Sequence, residues 1–127
     1  MKESVLHKKI TDKIKEHFPT IIFNTDSSGI RLNAGQAKQL KEMRSGNGFP
    51  DITIYETGKL GTILFLEVKT ESPYKLDGNL KKNDHLEEQD LMHKALRKRG
   101  CHAQFVWNVE MALSLIKRHL PYLKIYE

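Results

Sequence analysis

Apolar residues recur at helical spacing at the start of the chain, where Leu6, Ile10, Ile14 and Phe18 stand among Lys8, Lys9, Lys13 and Lys15. This pattern predicts an amphipathic helix over residues 3 to 18 with a basic outer face. Pro19 stops it, because proline lacks the N–H that a helix interior needs. Thr20 to Asn24 is β-branched and aromatic and predicts a short strand, followed by an irregular loop from Thr25 to Asn33. Ala37, Leu40 and Met43 among Lys38, Lys41 and Arg44 predict a short basic helix over 34–44, broken by Gly46 and Gly48, which free the backbone to approach a neighbour closely. Two runs of strand character follow, Ile52 to Tyr55 and Thr62 to Lys69, joined by Glu56 to Gly61, whose two glycines suit a hairpin turn. Past a loop from Thr70 to Lys82, Asp84-His85-Leu86-Glu87 has the spacing of a capping box for a helix from His85 to Arg99, ended by Gly100. Leu86, Gln89, His93 and Leu96 mark its inner face, with Leu91 and Ala95 beside them. Ala103 to Trp107 predicts a further strand, and Asn108 caps a last helix that turns Met111, Leu115 and Ile116 inward. Helices and strands in this succession predict an α/β fold, one domain over residues 1–127, with a central mixed sheet flanked by helices and the strand order left open.

The apolar pattern breaks at two places that carry chemistry. The run Thr62 to Val68 is apolar until Glu67 and Lys69, which lie two apart on a strand and so project from one face. Asp51 opens the facing strand, and an antiparallel hairpin brings the start of one strand to the end of the other, so Asp51 falls near both. Carboxylates that close repel unless a cation lies between them, and a hard divalent ion such as Mg²⁺ accepts one or two carboxylates while keeping several waters. A neighbouring ammonium can position or help deprotonate a water. The set suits metal-assisted phosphodiester hydrolysis. An isolated Glu-x-Lys is ordinarily a solvated pair; its conjunction with Phe49-Pro50-Asp51 carries the argument.

Gly48, Pro50-Asp51, Glu67-Val68-Lys69 and Gln89, in this order and on these elements, resemble the PD-(D/E)xK nuclease superfamily and, within it, the virus-type replication-repair nuclease (VRR-NUC) domains. The resemblance runs over most of the chain. It implies a restriction-endonuclease-like core and a Mg²⁺ or Mn²⁺ ion held by Asp51, Glu67 and the Val68 carbonyl. Lys69 would then orient or activate the attacking water, with Gln89 beside the acid and the lysine. A helical glutamate near the start of such domains joins the metal cluster, and Glu3 matches it by position and by sharing a helix face with Leu6, Ile10 and Ile14. The resemblance further implies a homodimeric endonuclease acting on branched DNA such as four-way (Holliday) junctions, in DNA repair, and possible virus origin with action inside the host cell.

Composition narrows the alternatives. Twenty-one Lys and Arg against 16 Asp and Glu give a formal net charge of +5, which suits an anionic partner without naming it. Cys101 is the only cysteine, so neither an internal disulfide nor a thiolate zinc site can form, and its apolar surroundings predict a core position. The six histidines include no His-x-x-x-His pair and are expected mostly on the surface. The sequence has no phosphate-binding Gly-x-x-x-x-Gly-Lys-Ser/Thr loop and no dinucleotide fingerprint, so no nucleotide cofactor is expected. A charged start and the lack of a long apolar run predict a soluble, cytoplasmic protein without a membrane span. Tyr74, Lys75, Lys81 and Lys82 interleave a ring with cations as a nucleic-acid loop does, Arg31 could face a phosphate, and Tyr122 and Tyr126 in the tail could pack on a neighbour. The alternative reading is a non-catalytic basic nucleic-acid-binding module that keeps the nuclease fold. No residue plainly discriminates DNA from RNA.

Overall fold

The computed structural model describes residues 1–26, 32–55 and 63–119. Its elements in chain order are α1 (Glu3–His17), β1 (Phe23–Thr25), α2 (Ala34–Glu42), β2 (Ile52–Ile54), β3 (Leu64–Val68), α3 (Asp84–Lys98), β4 (His102–Val106) and α4 (Val109–His119). The strands form one sheet in the order β1-β2-β3-β4. β1 with β2 and β2 with β3 are antiparallel, whereas β4 runs parallel to β3 after the α3 crossover, so the sheet is mixed. The described residues thus form a small α/β domain with a four-stranded mixed sheet and four helices.

The alternation of side chains sorts the sheet into two faces. Ile52 and Ile54, Leu64, Leu66 and Val68, and Val106 form one core with Leu6, Ile10 and Ile14 of α1 and Ala112, Leu115 and Ile116 of α4. Ile10, Ile14, Ile52, Leu66 and Ile116 are fully buried there, each stabilising the fold by about 2 kcal/mol. The other face carries Phe105 and is covered by α3, whose His93 ring lies 4.6 Å from the Phe105 ring. Glu67 alternates with Leu66 and Val68 along β3 and therefore belongs to this second face.

Several boundaries differ from those predicted. β1 begins at Phe23 rather than Thr20, because Phe18 and Ile21 are drawn into the core and the Ile21 N–H donates to the Phe18 carbonyl at 3.1 Å, turning the chain before it reaches the sheet. α3 is capped by Asn83, whose side chain accepts from the Leu86 N–H at 3.1 Å; Asp84 lies one residue inside the helix, where its charge favours the positive end. At the other end the Gly100 N–H donates to the Arg97 carbonyl and the Cys101 N–H to that of Leu96, a Schellman closure that uses the positive φ of Gly100. Cys101 is half-buried at this closure rather than in the core. α3 buries only His93, and Leu91 is exposed. Asn108 caps α4 as predicted, accepting from the Met111 N–H at 2.7 Å. α2 buries none of its residues.

The segment after β3 is itself ordered by a bridge between Tyr74 and Leu80 and by donation from the Lys81 N–H to the Pro73 carbonyl. Tyr74 does not stand out toward a ligand as expected; its ring meets Phe105 and Trp107 edge-on, each with centroids 6.1 Å apart. Arg31, the turn over 56–61 and the tail tyrosines lie outside the described residues. Among the described residues no helix is long and apolar enough to cross a membrane.

Candidate active site

The register Ile52 opposite Leu66, and Thr25 opposite Ile52, sets the next row of residues at one end of the sheet: Asp26, Asp51 and Glu67. Two expected members, Asp51 and Glu67, are buried at 7% and 3% exposure, which excludes the solvated-hairpin reading of this pair. Asp26 was not expected. It lies in what the sequence reads as loop, and its signal is its place directly after the last residue of β1.

Asp51 is fixed at three points. Its Oδ2 accepts from the Val68 N–H at 2.7 Å, and its carbonyl accepts from the Asp26 N–H at 2.9 Å and from the Thr25 hydroxyl at 3.0 Å. The Thr25 hydroxyl is hydrogen-bonded in turn to Nε2 of His7, a buried residue on α1. The approach to Asp51 is equally constrained. Gly48 has φ +81°, and a Cβ there would come within 2.8 Å of the Glu88 carbonyl oxygen and 3.1 Å of the Gln89 Cα. A side chain is therefore excluded twice, by the left-handed backbone and by the α3 main chain. The loop bearing Asp51 and the helix turn bearing Gln89 are in direct backbone contact.

Glu67 is held in its neutral form. Burial disfavours its charge, the Asp51 carboxyl shares a hydrogen bond with it and adds a like charge, and the opposing pull of Lys69 is smaller; the group is pushed up to about 11. Its Oε1 is buried without a hydrogen-bond partner, as is Oε1 of Gln89. Two unsatisfied acceptors in one region are costly unless a donor or a cation meets them.

Lys69 follows β3, its N–H donating to the Val106 carbonyl at 2.9 Å and its Nζ lying 3.7 Å from Glu3 Oε1. Lys69 is largely enclosed at 17% exposure, whereas Glu3 is 54% exposed. Both line a cleft of about 470 Å³ together with Gln89, Lys81, Asn83 and His85. Lys81 is paired with Glu71 at 3.5 Å on its rim. The structure thus brings Glu3, Lys69 and Gln89 to one cleft and Asp51 and Glu67 to one row. Glu3 faces the ammonium, and among the described residues no three His, Cys, Asp or Glu side chains are grouped as a metal site.

A divalent cation nonetheless fits the donors present. The orphaned Glu67 oxygen can be met by a cation, positive charge would offset the like charge of Asp51 that helps keep Glu67 neutral, and Mg²⁺ needs only one or two carboxylates. The Val68 carbonyl follows in the chain between Glu67 and Lys69 as a backbone oxygen donor.

His7 departs from the expected surface placement, whereas His93 lies on the inner face of α3 that its spacing predicts. His7 supports Thr25, and His93 is fully buried with neither ring nitrogen hydrogen-bonded. Burial, and then the charge of Arg97, lowers His93 to about 4, against an opposing pull from Asp90. Helical periodicity marks His93 as inward-facing but gives no sign that it lacks a partner. No protein-family model, curated protein or solved structure matches the chain.

Proposed function

We propose that the chain is a Mg²⁺- or Mn²⁺-dependent endonuclease of the PD-(D/E)xK type, akin to VRR-NUC domains, that hydrolyses DNA phosphodiesters at branched structures such as four-way junctions. One observation carries the reading: two buried carboxyl groups, Asp51 and Glu67, meet at the end of paired strands, and one of them has an oxygen that no donor satisfies. Lys69 follows Glu67 by two residues and lies in an open cleft. The three antiparallel-paired strands after α1, interrupted by α2 between β1 and β2, and the α3 crossover to a parallel strand support a restriction-endonuclease-like core.

In this reading Asp51, Glu67 and the Val68 carbonyl hold the ion, which when bound polarises a phosphoryl oxygen and acidifies water. The Val68 N–H fixes the Asp51 carboxylate in orientation. Lys69 supplies positive charge where negative charge develops, and Glu3 steadies its ammonium from across the cleft. Gln89 offers Oε1 to orient the attacking water. The wall of the cleft from Thr70 to Lys81 faces the nucleic acid. A two-fold homodimer would supply one such site to each strand of a symmetric junction.

The test is nicking of a labelled four-way junction beside linear duplex and single strand, with Mg²⁺, Mn²⁺ or EDTA. Cleavage that requires metal, favours the junction, and falls by roughly 10²- to 10⁴-fold in Lys69→Ala is expected. Cleavage by Asp51→Asn at the parent rate, or none by the parent under any metal condition, overturns the reading.

A further inference from the structure

α2 is a nine-residue helix that buries none of its residues. Helices this short do not hold themselves in water, and most helices in proteins owe their stability to an apolar face packed on the core. The N-terminus of α2 is held by a capping box: Asn33 Oδ1 accepts from the Gln36 N–H at 2.8 Å and Gln36 Oε1 accepts from the Asn33 N–H at 3.1 Å. Its stability against the body of the protein therefore comes from elsewhere or is small.

The cations of α2 follow a three-residue step along the chain. Lys38 and Lys41 are three residues apart and share a helix face, and Arg44 continues the same step just past the end, its N–H donating to the Lys41 carbonyl at 3.3 Å. Glu42 is the only acid between Asn33 and Asp51. Lys38 and Lys41 are exposed. The series has a defined end: the Arg44 guanidinium lies 3.5 Å from the Asp26 carboxylate, and the Asp26 N–H donates to the Asp51 carbonyl. Three cations therefore lead to the β1 edge of the acidic row, while Lys69 and Lys81 lie in the cleft past its β3 end.

From this juxtaposition we infer that α2 is a phosphate track: Lys38 and Lys41 each contact a backbone phosphate of a bound nucleic acid, and Arg44 sets the register of that backbone against the acidic row. The occupant is a nucleic-acid backbone because the face offers exposed cations to an anionic partner and α2 buries no apolar residue. Arg44 stays on Asp26 and serves as the anchor. The inference rests on the nucleic-acid partner proposed above, but not on cleavage.

The experiment measures binding of a short fluorescein-labelled DNA duplex in EDTA across a KCl series, for the parent chain and for Lys38→Ala/Lys41→Ala. No hydrolysis is needed, so a chain that binds without ever cutting sinks the nuclease reading and leaves this one intact. Each phosphate contact contributes about 0.9 to the slope of log affinity against log salt, so the double variant should show a slope shallower by about 1.8. Both side chains are exposed on a helix that buries none of its residues, so the variant folds; Ala also favours the helix. An unchanged slope overturns the inference, as does absence of binding by the parent. Sedimentation of both proteins closes the remaining route: a parent dimer that the double substitution splits, with the slope unchanged, makes this face an interface between copies and refutes the track.

Discussion

Replacing Glu67 with Gln tests the electrostatics of the carboxyl pair without reference to catalysis. In the folded chain Glu67 keeps its proton up to about 11, chiefly because burial disfavours the charged form, whereas an unperturbed glutamate loses it near 4.5. Between these values the folded state binds one proton more than the unfolded state, so stability is full below 4.5 and falls as pH rises. Each pH unit costs about 1.4 kcal/mol, so the rise from 4.5 to neutral pH removes about 3 kcal/mol. Gln has the shape of the protonated acid and can donate to Asp51 at every pH. Parent and variant should therefore melt within about 1 kcal/mol of each other near pH 5. At pH 7 the variant should melt roughly 10 °C higher, at about 4 °C per kcal/mol for a domain of this size. The assay is thermal melting followed by circular dichroism, in EDTA, from pH 5 to 8. A difference that stays constant with pH, or a variant that melts lower than the parent at pH 8, refutes the reasoning. Adding Mn²⁺ to the same samples should raise the melting temperature of the parent more than that of the variant, since only the parent can offer a second carboxylate.

Three further outcomes follow from other parts of the molecule. Gly48→Ala should cost about 2–4 kcal/mol, since it adds overlap with the α3 backbone to an unfavourable φ, whereas Gly100→Ala, with nothing within 4 Å, should cost only about 1 kcal/mol; equal denaturation midpoints for the two would remove the clash from the argument. His93 works in the opposite sense to Glu67: it is lowered from 6.5 to about 4, so stability is full above 6.5 and declines on acidification, and His93→Leu should flatten urea midpoints between those values. If the slope there is the same in both proteins, His93 is not the group that titrates. Asn83→Ala should destabilise α3 by about 1 kcal/mol through loss of its cap and Asp84→Ala by less, as read from chemical denaturation; the reverse order would restore Asp84 as the cap.

The pairing of β2 with β3 was legible because a strand has a period of two and an antiparallel pair fixes which ends meet. Asp51 opposite Glu67 follows from those facts alone. The inner face of α1 was legible for the same kind of reason, and Leu6, Ile10, Ile14 and Phe18 are all buried. What periodicity could not supply was where side-chain hydrogen bonds go. Asn83 and Asp84 are both good caps, and only the folded chain chooses between them. His7 reads as a surface residue by type, yet it is a hydrogen-bond partner of Thr25; His93 reads as inward-facing, but its spacing does not say that its ring packs on Phe105. Tyr74 was assigned to a ligand by its lysine neighbours, but the rings that claim it, Phe105 and Trp107, lie thirty or more residues away in the chain. Asp26 was missed because β1 was placed too early, which hid the row it completes.

The contact at Gly48 also ties the two sides of the site together mechanically. It joins a loop to a helix turn forty residues further along, across the whole of β2, β3 and the loop that follows them. An opening that lifts α3 from the sheet therefore breaks the seat of the loop that carries Asp51, and it uncovers the face to which Glu67 belongs. The burial of the carboxyl pair depends on α3 staying docked.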